Sequence, residues 1–157
     1  CGGWLVCCWA VRVLAYVLWF SLWSVVVPEC GSLGLLASGA GAGFVGWIIL
    51  SETTAFPGLS VAQVLHAASF GATYLATMHF IAARAPDGLK ASAQGAYASV
   101  SGVMMGIMML SAGSLYAALN ANAFYAMAVV CIFALGLTWL TWKNGGYDGA
   151  TKFRRAS

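Results

Sequence analysis

Residues Gln63–Tyr74 read "QVLHAASFGATY". They lie inside a mostly apolar run, Leu59 to Ala82, that contains no Asp, Glu, Lys or Arg. At about 1.5 Å per residue such a run makes a helix longer than the roughly 30 Å hydrocarbon core of a bilayer. It therefore reads as a membrane-spanning helix, and its polar residues need a reason to be there. At about 100° per residue, Gln63, His66, Phe70, Thr73, Tyr74 and Thr77 fall within an arc of about 100°. Apart from Phe70, these are polar-capable side chains on one stripe. A membrane helix that is polar on one face lines water, a solute, or the polar groups of another helix. His79 lies roughly opposite the stripe, about 160° from Gln63 by the same count, and reads as structural.

The composition of the 157 residues extends this reading to the whole chain. Charged residues make up 7% and hydrophobic residues 62%, with a mean hydropathy of +0.87. A soluble domain carries about 25% charged residues, so this chain cannot cover a water-facing surface. The expected class is an all-α membrane protein. The chain opens on Cys1 with no charged region ahead of Trp4. It lacks the form of an ordinary signal peptide and reads as beginning inside a longer protein or at an unusual boundary. The five cysteines form no CxxC and no Cys/His spacing that suits zinc. No metal, cofactor or nucleic acid is expected.

Five segments are long and apolar enough to span: about 4–27, ended by Pro28, then 33–50, 59–82, 93–119 and 123–142. Together, residues 1–142 form a transmembrane helical bundle, and residues 143–157 a cytoplasmic basic tail. Pro57-Gly58 and Pro86-Asp87-Gly88 are turn signals. Asn120 and Asn122 mark the tight turn before the last segment and are placed to cap it.

Short connections make neighbouring helices antiparallel, and that sorts the charges. Arg84 and Lys90 fall in one loop, and Lys143, Lys152, Arg154 and Arg155 at the C-terminal end, all on one side. The opposite loops, including "SETTAFPG" with Glu52, hold no Lys or Arg. This positive-inside bias places the C-terminus in the cytoplasm and Glu52 outside. The expected location is the cell's inner membrane, with several passes through the lipid bilayer.

Two further features stand out. The fourth segment, "GAYASVSGVMMGIMMLSAGSLY", carries Gly95, Gly102, Gly106 and Gly113, small positions that allow helices to approach closely in lipid. The second, "GLLASGAGAGFVGW", has the same character. Arg12 lies within the first segment on the face of Tyr16, Trp19 and Trp23. An arginine beside aromatics suits an anionic aromatic compound, guanidinium to carboxylate and ring to ring. It equally suits snorkelling to the outer surface or pairing with an acid on another helix.

The run from Gln63 to Tyr116 resembles the late helices of the major facilitator superfamily. More narrowly, it resembles the branch of phenylpropionate-type permeases and nucleoside–proton symporter relatives. The markers are "LHAASFG" at Leu65–Gly71, the "AQG.Y" helix start at Ala93-Gln94-Gly95 with Tyr97, and "GSLY" at Gly113–Tyr116. The chain departs from that branch at Tyr16, where an acid is common, and in "WSVVVPECGS", which lacks the usual base.

The resemblance implies the last five of twelve helices, most of the C-terminal six-helix lobe of a transporter. A substrate site would lie between lobes near the bilayer midplane, worked by rocking one lobe against the other and commonly coupled to protons. The expected partners are a small organic solute, protons and the missing N-terminal lobe. Gln63, His66, Thr73, Tyr74, Thr77 and Arg12 are the expected cavity-lining residues, and no enzyme activity is expected. The alternative reading is a truncated or degenerate non-transporting membrane protein, or a five-helix subunit acting through helix–helix interaction.

Overall fold

The computed structural model describes residues 2–144, except the side chains of 2–9, 11, 12, 19, 20 and 22–30. The expected basic tail beyond Asn144 lies outside the described residues. Every regular element among the described residues is helical: α1 Gly2–Glu52, α2 Phe56–Arg84, α3 Lys90–Leu119 and α4 Ala123–Lys143, with a single 3-10 turn at Asn120–Asn122. By length and apolarity, Gly31–Glu52 and the stretch Lys90–Lys143, which holds both α3 and α4, are candidate membrane spans.

The expected end of the first segment moves. The helix runs through Pro28, and the break falls at Gly31, with φ 66° and ψ 170°. That backbone is open to glycine, which lacks the Cβ that would clash there. α1 is therefore two arms, 2–30 and Gly31–Glu52, and the second matches the expected segment 33–50.

Pro57-Gly58 is likewise no separate turn, because Pro57 sits in the first turn of α2. Proline is at home there, since its missing N–H would find no helical partner anyway. The turn before α3 forms as the sequence implies. Leu89 N–H bonds Pro86 C=O at 3.0 Å, and Gly88 takes φ 86°. The asparagine turn also forms, but by another device. Asn122 makes no side-chain capping bond. Asn120 takes a positive φ of 51° as it closes α3.

The packing is uneven. α1 lies most extensively against α2 and next against α4, whereas α3 makes few contacts with any of them. Leu35 of α1 is sealed against Ala72 and Ala76 of α2, with Leu36 and Leu75 beside them. The seam runs through small residues. A Cβ on Gly39 would come within 3.1 Å of Ala72 Cβ and of the Ser69 carbonyl oxygen. On Gly43 it would meet Ser69 Oγ at 2.8 Å and Cys131 Sγ of α4 at 3.2 Å. On Gly46 it would touch Leu65 Cβ at 3.4 Å. These glycines, spaced i, i+4, i+7, form one smooth face on which α2 and α4 seat.

Candidate functional site

The structure divides the stripe of α2 into two zones. Nearer the α2 start, Gln63 and His66 are half-buried. The His66 ring stands edge-on to Trp47 of α1, with centroids 6.2 Å apart and planes at 79°. A water-sized cavity opens beside it, lined by Gly43, Gly46, Trp47, Leu50, Ala62 and His66. The missing side chains of two glycines leave room for an imidazole between helices. Gln63 makes no hydrogen bond with the described residues, so its amide remains available.

Farther along, Phe70, Thr73 and Tyr74 are exposed and Thr77 is half-buried. Thr73 donates to the Ser69 carbonyl and Thr77 to the Thr73 carbonyl, both at 2.9 Å. Each hydroxyl spends its single donor on its own helix, and Thr73 Oγ1 lies beside Gly39 of α1, 3.2 Å from where a Cβ there would stand. Phe70 meets Tyr16 of the first arm edge-on, with centroids 6.1 Å apart. That contact turns the Tyr16 face of α1 toward the stripe. Arg12 lies one helical turn before Tyr16 on the same face, and its side chain lies outside the described residues.

Sequence reasoning missed the aromatic chain behind His66. Trp47 stacks on Phe124 of α4 at 6.0 Å and 17°, and Phe124 meets Tyr116 of α3 at 6.0 Å. Rings from four helices thus join at one end of the bundle, each pair in an offset or tilted geometry that aromatic quadrupoles favour. Next to them the Tyr125 hydroxyl donates to Glu52 Oε1, tying the α1 end to the first turn of α4. The periodicity of the segments held no cue for these pairings, because they depend on which helix ends come level.

The other expected packing residues behave differently. A Cβ added at Gly95, Gly102, Gly106 or Gly113 would find nothing within 4 Å. α3 buries none of its residues. Among the described residues no group of His, Cys, Asp and Glu could hold a metal ion.

Residues 3–127 match the model of the MFS_1 like family. The chain is 36% identical over 130 residues to the probable 3-phenylpropionic acid transporter of Escherichia coli (strain K12), covering 82% of this chain. It spans only 34% of that relative's length. No solved structure matches the chain.

Proposed function

Since the chain belongs to the MFS_1 like family, in the phenylpropionate permease branch of the major facilitator superfamily, we propose that it forms most of the C-terminal lobe of a secondary transporter. It is a membrane protein of a transport family. The two arms of α1, together with α2, α3 and α4, cross the inner membrane five times, with the C-terminus cytoplasmic. The lobe moves a small organic solute, coupled to protons, in concert with an N-terminal lobe that this stretch of sequence does not contain.

The observation that carries the reading is the divided stripe. Phe70, Thr73 and Tyr74 stand exposed on a helix whose other side is sealed by Ala68, Ala72 and Ala76. A polar face left open in a membrane helix needs a polar or aromatic counterpart. In this proposal Thr73, Tyr74 and Thr77 line the solute path with Arg12, which holds the anionic end of the solute. The likeness to a probable 3-phenylpropionic acid transporter supports an aromatic carboxylic acid as solute. Gln63 and His66 sit at the margin of that path, where an imidazole, able to accept and release a proton, suits proton coupling. The open glycines of α3, Gly95, Gly102, Gly106 and Gly113, accept helices of the missing lobe.

The test uses the completed gene in proteoliposomes, with uptake of phenylpropionate and of nucleosides measured with and without a proton gradient. Gradient-driven uptake of the aromatic acid is expected. Its rate should fall at least tenfold in Arg12→Gln, while His66→Ala should lose the gradient response and keep solute exchange. Gradient-driven uptake unchanged in both variants would remove both residues from the site. The exposed face of α3 also fits a subunit that works through helix–helix contacts, and absence of uptake of any solute would favour that second reading.

A further inference from the structure

The helices fall into two length classes, and the difference is concentrated at the basic end. α4 has 21 residues, about 32 Å, close to the roughly 30 Å hydrocarbon core. Tyr125 stands near one end of it, and exposed Trp139 and Trp142 near the other, the positions of interfacial aromatic belts. Lys143 closes α4 with its ammonium over the Trp139 ring, 5.3 Å from the centroid. Lys143 therefore marks the level of one membrane surface.

α3 has 30 residues. Its far end is fixed level with the start of α4 by the ring contact of Tyr116 with Phe124. From Phe124 to Lys143 is nineteen residues, and from Tyr116 to Lys90 twenty-six. At 1.5 Å per residue, α3 runs about 10 Å beyond Lys143. α2 gives a smaller offset in the same direction. Ser69 and Cys131 come level at Gly43, and counting from there puts Arg84 about 5 Å past Lys143. The overhanging turns of α3 hold Lys90, Ser92 and Gln94, polar residues that suit a depth outside hydrocarbon.

We propose that this end forms a cationic step for anionic phospholipid. Arg84 and Lys90, on the overhang, and Lys143, at the foot of the step, present their charges to lipid phosphates through the depth of the headgroup layer, Arg84 alongside the contact it already makes within the chain. Asp87 lies 3.5 Å from Lys90, but both are exposed. A surface pair of that kind is weak and leaves other ammonium N–H groups to donate. An anionic leaflet favours each nearby Lys or Arg by up to about fivefold in binding. The partner is phosphatidylglycerol or a lipid of like charge, held in the leaflet. The inference rests on α3 and α4 crossing the bilayer, as proposed above.

The test has two arms, both with the chain in mixed phosphatidylcholine–phosphatidylglycerol vesicles. In the first, lipid retained on the extracted protein is weighed by native mass spectrometry. Phosphatidylglycerol should be enriched several-fold over the vesicle composition, and the variant R84Q/K90Q/K143Q should return it to parity. Parity in the unaltered chain, or unchanged enrichment in the variant, overturns the proposal. In the second, a nitroxide is placed at Ser92→Cys or Val100→Cys after the native cysteines are replaced by alanine. Residue 92 should respond to a water-soluble nickel quencher and residue 100 to oxygen. Both in hydrocarbon would overturn the step while leaving the span intact. Both in water would overturn the span itself.

Discussion

Helices α2 and α3 are near equals in length, at 29 and 30 residues, and both are rich in Gly, Ala and Ser. α2 buries Ala62, Ala67, Ala68, Gly71, Ala72, Ala76 and Ile81, whereas α3 buries nothing. Small side chains permit close approach in lipid but do not supply it, because packing drives association there only when a matching face is present. α2 finds that face in Gly39, Gly43 and Gly46 of α1. α3 carries more small positions, and among the described residues nothing lies within reach of its glycines.

The most direct way to break the comparison is at Gly43, where α1, α2 and α4 come together. Gly43→Leu would drive a side chain into Ser69 and Cys131 at once. A loss of about 3 kcal/mol is expected from overpacking, read as a lowered midpoint in mixed-micelle unfolding followed by circular dichroism. Gly43→Ala should cost less, because the Ser69 hydroxyl, the nearer neighbour at 2.8 Å, is free to rotate away. An unshifted midpoint for Gly43→Leu would mean that the three helices do not cross there.

Next in size is Trp47→Ala. Trp47 touches His66 of α2 and Phe124 of α4. Its truncation removes the two ring contacts and opens a gap behind His66. About 2 kcal/mol is expected, below the range for a fully buried tryptophan because Trp47 is only half-buried. Trp47→Phe should recover most of it, and failure of that rescue would mean that the indole acts through something other than packing.

How much of this was legible from residues alone follows from the same physics. Helices in lipid announce themselves by length and apolarity, so the helical class and most element ends were readable. Pro28 is the expected end of the first segment, yet the break falls at Gly31, because a proline weakens a helix locally while the backbone bends where a glycine lets it. The stripe of α2 was readable from periodicity. Its division was not, since that depends on Trp47 of another helix reaching His66 while leaving Phe70 and Tyr74 open. The i, i+4, i+7 spacing of Gly39, Gly43 and Gly46 was in plain view, yet spacing says nothing about which of two glycine-rich helices meets a partner. The Glu52–Tyr125 contact joins residues 73 positions apart, beyond the reach of any local pattern.

A smaller effect is expected at that contact. Tyr125→Phe removes a hydrogen bond to a carboxylate at the end of α1, both partners being exposed. About 1 kcal/mol is expected, below the usual range for a charged acceptor because solvent competes. Glu52→Gln keeps an acceptor and should lose less. A double-mutant cycle should give a coupling of at least about 0.5 kcal/mol. Additive losses would mean that the two ends are level without being tied.

The smallest effect sharpens the comparison most. Gly102→Leu adds four carbons to α3 at a point where no atom lies within 4 Å. In this chain the unfolding midpoint should move by no more than about 0.5 kcal/mol, the usual scale for an exposed substitution. A higher helix propensity for leucine makes a slight gain as reasonable as a slight loss. In the completed gene product the proposed N-terminal lobe covers α3, and the same leucine should then cost about 1–3 kcal/mol by overpacking. Gly43→Leu should be costly in both settings, because its neighbours belong to this chain. If Gly102→Leu were harmless in the completed product too, the small residues of α3 would face lipid, and the contrast between the two helices would be one between a packed face and a bare one.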